Sequence, residues 1–237
     1  MGKISGLKQM RAHVNLSKPQ IALIGVAAVA GMMSFIMTAT ADEEAPRARG
    51  QVEAENLETA IFAGGCFWCV EADFDKVTGV VETVSGYTGG TVSEPTYKQV
   101  SYEDTGHYEA VKIVYNSAEV SYSELVEYFW RHVDPTDAGG QFCDRGPSYR
   151  TAIFPLSDEQ RDTAEMSKAA LEASEVLTEP VVTPILDAAT FWPAEDYHQD
   201  YYQKNRLRYT YYRNGCGRDA RIKDVWQNAP DTSADKS

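Results

Sequence analysis

The chain has 237 residues, 43% of them hydrophobic and 11% aromatic, and a formal net charge of −13. That length supports one substantial core rather than two well-separated domains, and the apolar content excludes a disordered body. So acidic a chain is not expected to bind nucleic acid or an anionic lipid surface by electrostatics, since both require clustered Lys and Arg.

Residues 1–41 read as an export leader. Lys3, Lys8, Arg11 and Lys18 precede an apolar run over residues 21–37, and Ala39-Thr40-Ala41 supplies small residues for cleavage before Asp42. The alternative is an uncleaved anchor over residues 21–37, close to the ~18 apolar residues of a spanning candidate, although Gly25, Gly31 and Ser34 interrupt it. Either reading places the folded part outside the cytoplasm, in the periplasm by the first, with membrane contact only through an uncleaved leader. Residues 42–58 have the polar, charged composition of a flexible linker, residues 59–226 form the body, and residues 227–237 form a disordered tail.

Within the body, residues 59–63, 80–86, 109–115 and 152–154 carry strand signals. A helical pattern occupies residues 67–76. Ser121 with Glu124, and Ser157 with Gln160, form capping boxes for two more helices, reaching Trp130 and about Ala173. The expectation is an α/β or α+β domain with helices packed on a modest sheet.

The segment Gly64-Gly65-Cys66-Phe67-Trp68-Cys69-Val70-Glu71 lies between the first strand and the first helix. Two glycines permit a tight turn that would put Cys66 at a helix N-terminus. There the macrodipole and unpaired N–H groups should stabilise a thiolate and lower the thiol pKa, as nucleophilic chemistry requires. The four cysteines, Cys66, Cys69, Cys143 and Cys216, also admit other arrangements. These are two structural disulfides, a zinc site for which only Cys66-x-x-Cys69 has the spacing, and a thioredoxin-like dithiol. Residues His107, His132 and His198 are too scattered to suggest a metal, and no bound metal is expected.

Gly65-Cys66-Phe67-Trp68 resembles the signature of the A-type peptide methionine sulfoxide reductases. The resemblance continues in order through Gly86-Tyr87-Thr88-Gly89-Gly90, Pro95-Thr96-Tyr97, Gly106-His107-Tyr108-Glu109, His132-Val133-Asp134-Pro135, Cys143-Asp144-Arg145-Gly146, Ser148-Tyr149-Arg150, Ala194-Glu195-Asp196-Tyr197-His198-Gln199 and Gly215-Cys216-Gly217-Arg218-Asp219. It covers roughly residues 60–226 and implies a two-layer α/β sandwich with a ferredoxin-like core, forming a single catalytic domain. The implied activity is reduction of methionine S-sulfoxide, in oxidised proteins and peptides or free, without a bound cofactor.

By the same resemblance Cys66 is the nucleophile and Glu109 the acid that protonates the sulfoxide oxygen. Burial at the start of an apolar strand would keep such a carboxyl protonated. Tyr97 and Tyr149 match hydroxyl donors to that oxygen, Asp144 a supporting carboxylate, and Phe67 and Trp68 the walls for the S-methyl group. The first half-reaction leaves a sulfenic acid on Cys66, which a second thiol resolves to a disulfide. Cys216, between two glycines in a segment expected to be flexible, is the first candidate. Cys69, on the same helix face as Cys66, is the second, with Cys143 a further relay. An external thioredoxin-like donor is then implied. A general thiol-disulfide oxidoreductase, which would not need Glu109, and a noncatalytic domain held by two disulfides are the competing functions.

Overall fold

The computed structural model describes residues 56–229; the leader, almost all of the linker and most of the tail fall outside them. Among the described residues no helix is long and apolar enough to cross a membrane.

Strand β1 (Leu57–Gly64) is followed by helix α1 (Phe67–Phe74), strand β2 (Val80–Thr88), short helix α2 (Tyr97–Tyr102), strand β3 (Tyr108–Asn116) and helix α3 (Tyr122–Arg131). The small hairpin β4 (Gly140–Gln141) and β5 (Asp144–Arg145) and a 3-10 turn (Pro147–Tyr149) lead to β6 (Thr151–Ile153) and helix α4 (Asp158–Ala173). Strand β7 (Trp192–Pro193) and helices α5 (Tyr201–Lys204), α6 (Arg206–Cys216) and α7 (Arg218–Val225) complete the body.

The five-stranded sheet has the order β6-β1-β3-β2-β7, with every pair antiparallel. Its first four members with α1 and α3 reproduce the split β-α-β of a ferredoxin-like core, as the resemblance implied. Side-chain alternation explains why both faces are buried. On β1, Ala60 and Phe62 turn to the helices, where Phe62 stacks on Phe74, Tyr122 and Phe129 at 5.4, 6.0 and 5.1 Å. Ile61 and Ala63 turn the other way, with Tyr108, Ala110, Ala152 and Phe154, and that face is covered by Leu186 and Phe191 from the irregular segment before β7. On β3, Val111, Ile113 and Tyr115 belong to the helix-side cluster, and Glu109 shares their parity. Strand alternation alone therefore sends the Glu109 carboxyl toward α1.

The capping box at Ser121 is complete, with Ser121 Oγ accepting from the Glu124 N–H and the Glu124 carboxylate accepting from the Ser121 N–H. The one expected at Ser157 is half formed. Ser157 Oγ accepts the Gln160 N–H at 3.2 Å, but the Gln160 amide accepts from Leu156 N–H and donates to Thr59 O at 2.8 Å, tying α4 to β1 instead. Helix α1 ends at Phe74, two residues short of the expected range, as the chain turns toward Gly79 with φ +93.

Candidate active site

Between β1 and α1 the backbone reverses at Gly65, whose φ is +84; a Cβ there would lie 2.5 Å from Gln141 Cβ. Only glycine fits this conformation and this space. The turn delivers Cys66 to the N-cap of α1, where its carbonyl accepts the N–H groups of Cys69 and Val70 at 3.0 and 3.3 Å. The sulfur itself accepts no cap hydrogen bond.

The expected fall of the Cys66 pKa does not occur. The residue is 5% exposed, and burial pushes its thiol well above the usual range. Its S–H donates to the sulfur of Cys69, which is lowered to about 7 by that hydrogen bond first and by Arg218 and Arg213 after it. Both thiols are free, and the hydrogen bond makes Cys69 the more acidic of the two.

A cavity of about 70 Å³ opens beside Cys66, lined by Cys66, Phe67, Trp68, Tyr97, Glu109, Asp144, Tyr149 and Tyr212. It is large enough for a small polar head with its methyl group and far smaller than a drug-sized pocket. Seven of the eight lining residues are those singled out in the sequence, drawn from α1, α2, β3, β5 and the 3-10 turn.

Glu109 is 1% exposed, and its Oε2 accepts the backbone N–H of Phe67 at 3.0 Å. Burial raises its pKa to about 8 against that hydrogen bond, so the carboxyl is protonated at neutral pH. Tyr97 and Tyr149 are both raised, chiefly by burial and then by the nearby Glu109. Tyr97 is held by its own N–H, which donates to Glu195 Oε1 at 3.0 Å; the same carboxylate accepts the Tyr87 hydroxyl at 2.9 Å. Asp144 accepts the Tyr212 hydroxyl, and burial raises its pKa.

The two rings expected as walls differ in role. Phe67 is 1% exposed and packs against Tyr87, Tyr97 and His198 at 5.8, 6.4 and 5.0 Å, so it is core as well as wall. Trp68 lies flat on Tyr201 at 3.8 Å, and its Nε1–H donates to His198 Nδ1 at 3.0 Å. His198, considered in the sequence only as a metal ligand and rejected as one, adjoins the site as the acceptor that holds Trp68. Tyr201, Tyr212 and Glu195 were likewise not singled out. The one sequence signal for them was the order of blocks around residues 194–199, because nothing local separates one of 14 tyrosines from the rest.

Cys143 and Cys216 form a disulfide across 73 residues, with Cα atoms 4.9 Å apart. This excludes a disulfide within which Cys66 or Cys69 is structural, and with it the noncatalytic two-disulfide domain. The segment around Cys216 is not the flexible one expected. Cys216 closes helix α6, and Gly217, with φ +71, is the left-handed cap that stops it. Here glycine marks a helix end, not a hinge. Among the described residues the one group of metal-binding side chains is Cys143, Asp144 and Cys216, within 4.8 Å, and two of these sulfurs are already bonded to each other.

The profile of the family described as "Peptide methionine sulfoxide reductase" matches residues 58–230. The "Peptide methionine sulfoxide reductase MsrA 2" of Caulobacter vibrioides is 54% identical over 173 residues, covering 73% of this chain and 87% of that protein. The corresponding MsrA of Bacillus licheniformis is 50% identical over 173 residues, covering 73% and 96%. Among solved structures, methionine sulfoxide reductase A of Corynebacterium diphtheriae aligns with TM-score 0.58 and 32% identity, over 66% of this chain and 78% of that one. Mxr1 from Saccharomyces cerevisiae in reduced form aligns with TM-score 0.61 and 29% identity, over 65% and 88%.

Proposed function

The chain belongs to the peptide methionine sulfoxide reductase family and reduces methionine sulfoxide, and we propose that Cys66 is its nucleophile and Glu109 the acid that protonates the substrate oxygen. The observation that carries this assignment is a buried carboxyl, protonated at neutral pH, hydrogen-bonded to the residue next to Cys66 and opening into the same small cavity.

The substrate's S-methyl group rests against Phe67 and Trp68, and its oxygen faces Glu109, Tyr97 and Tyr149. As Cys66 attacks the sulfur, Glu109 protonates the oxygen and the Cys66 thiol proton restores the Glu109 carboxyl, so the charge state of Cys69 is unchanged. Substrate sulfur gains two electrons, Cys66 loses two, the oxygen ends on Cys66 as a sulfenic acid, and methionine departs. Family membership makes the S epimer the expected substrate, and each epimer has its own enzyme type.

Cys69 then closes a disulfide with Cys66, being the thiol in hydrogen-bond contact with it. Cys216, favoured on sequence grounds, is paired with the exposed Cys143 and takes the disulfide outward by exchange. An external thioredoxin-like dithiol restores that outer pair, and no bound cofactor takes part. The leader pattern supports export of the folded body to the periplasm. Cell fractionation that leaves the complete chain in the cytoplasm refutes the export reading.

The assignment is tested with the chain lacking residues 1–41, a methionine sulfoxide peptide and dithiothreitol. Turnover by the unaltered chain and none by Cys66→Ser is the expected result. Undiminished turnover by Cys66→Ser moves the nucleophile elsewhere.

A further inference from the structure

Two cations that the proposed reaction does not use, the buried Arg218 and the part-buried Arg213, meet helix α1 at Asp73. Asp73 lies one helical turn beyond Cys69 on α1, on the same face. Arg213 from α6 and Arg218 from α7 converge there. Arg213 Nη1 is 3.0 Å from Asp73 Oδ1, and its other side meets a second carboxylate, Asp219, at 2.6 Å. Arg218 is 2% exposed. Its Nη1 and Nη2 donate to the carbonyls of Gly64 and His132 at 3.2 and 2.9 Å. Its Nε, 3.8 Å from Asp73 Oδ2, has no hydrogen-bond acceptor, and the Phe142 ring covers the guanidinium at 4.5 Å.

Arg218 thus shares the Asp73 carboxylate with Arg213, which sits closer to it, while Asp144 and Asp219 act on it electrostatically without accepting a hydrogen bond from it. A guanidinium this deeply buried, with its Nε unmet, is stabilised by any further anion beside it. The charged and titratable groups facing the Cys69 sulfur are Cys66 and Asp73 on α1, Glu109 on β3, Tyr209, Tyr212 and Arg213 on α6, and Arg218 on α7. Of these, the two arginines supply the positive charge. A thiolate on Cys69 completes the balance.

We propose that Arg218, backed by Arg213, is the positioning residue for the resolving step, its guanidinium holding the negative charge on Cys69 so that the attacking sulfur is already an anion. The inference rests on the reading that Cys69 resolves the sulfenic acid. In that step the Cys69 thiolate bonds to the Cys66 sulfur, the S–O bond breaks, and hydroxide leaves and takes up a proton as water. The Cys66 sulfur is reduced and the Cys69 sulfur oxidised. Closing the disulfide removes the anion from beside Arg218 and leaves it the Asp73 carboxylate at 3.8 Å, which favours reopening the inner pair at the expense of the outer one. The structure has that distribution, with Cys66 and Cys69 as thiols and Cys143–Cys216 as the disulfide.

In full-length Cys66→Ser with Cys143–Cys216 oxidised, Cys69 is the one free thiol, and its ultraviolet thiolate absorbance gives its titration directly. Adding Arg218→Met raises the midpoint by about one pH unit or more, a tenfold loss of thiolate below it. Arg218→Lys keeps the charge and leaves the midpoint in place, which a purely structural role would not do. Arg213→Gln moves it upward by less, and serves as the test if Arg218→Met fails to fold. In single turnovers without reductant, Arg218→Met in the otherwise unaltered chain prolongs the dimedone-trappable sulfenic acid on Cys66 by about tenfold at neutral pH. The proposal is overturned by an unmoved midpoint in folded Arg218→Met, or in Arg213→Gln where the first does not fold, or by an equal shift in Arg218→Lys. Cys69→Ser separates the two claims. If it forms its disulfide at the unaltered rate, the resolver reading itself fails; if it accumulates sulfenic acid while the midpoint is unmoved, only the role of Arg218 fails.

Discussion

The Oε2 atom of Glu109 accepts the backbone N–H of Phe67 at 3.0 Å, which fixes a carboxyl from the middle strand of the core against the first turn of the helix that Cys66 caps. The bond lowers the pKa of Glu109, yet burial outweighs it and the result is about 8. One side chain is thereby both anchored and kept protonated. The carboxyl oxygen not engaged by the backbone is free to meet a substrate in the cavity.

A raised acid pKa sets the sign of the pH dependence. The proton-donating form is present below the folded pKa and lost above it, so kcat/KM for a methionine sulfoxide peptide should decline tenfold per unit above about pH 8. Glu109→Gln should cost roughly 10²- to 10⁴-fold in the reductase step and abolish that decline. A full pH–rate profile of both proteins checks this, and an unchanged Glu109→Gln rate would favour a general disulfide oxidoreductase.

Glu71, on α1, is fully buried, and burial, opposed by the backbone N–H of Asp200, raises its pKa from 4.5 to about 7. An acid whose folded pKa lies above its unfolded one binds more protons in the native state, so it costs stability as pH rises from 4.5 through 7. Glu71→Gln should therefore match the unaltered chain near pH 5 and exceed it by about 2 kcal/mol near pH 8. Urea unfolding at the two pH values decides it, and an equal difference at both would show that Glu71 does not titrate as described.

Replacing Gly65 by Ala places a Cβ 2.5 Å from Gln141 Cβ at φ +84. Strain and overlap together should cost about 2 to 4 kcal/mol. Gln141 holds the Asp134 N–H and carbonyl, each at 2.8 Å, so it cannot swing aside cheaply. Thermal unfolding with a shift of only a degree or two would show that the turn relaxes.

The Cys143–Cys216 bond closes a loop of 73 residues. Cys143→Ser should destabilise the chain by about 2 to 4 kcal/mol through loop entropy. With dithiothreitol it should leave the first release of methionine intact, because Cys66 and Cys69 remain. A loss of that first turnover would mean that the outer pair shapes the cavity directly.

Much of the site was legible because its signals are local. The paired glycines announced the turn before Cys66, and strand parity grouped Glu109 with Val111 and Ile113, whose burial gives the carboxyl its pKa. The complete capping box at Ser121 was equally readable, while that at Ser157 failed because Gln160 found a better acceptor on a strand 101 residues away. Where the signal was a glycine, the reading depended on context. The same residue type that made the Gly65 turn ended a helix at Gly217 instead of freeing Cys216 to swing.

The sequence by itself determined the order of elements, the family, the place of Cys66 at a helix start and most of the side chains around the cavity, since these depend on short-range periodicity and ordered motifs. Only the tertiary structure decided which cysteines pair, that His198 holds Trp68, and that Cys69 is the more acidic of the Cys66–Cys69 pair. Four cysteines allow three pairings, and proximity across 73 residues is a product of packing that no local pattern encodes. The difference in acidity has the same origin. Burial raises Cys66, and the Cys66 hydrogen bond, followed by the field of two arginines from distant helices, lowers Cys69; together these outweigh the effect of the helix N-terminus from which the sequence argued.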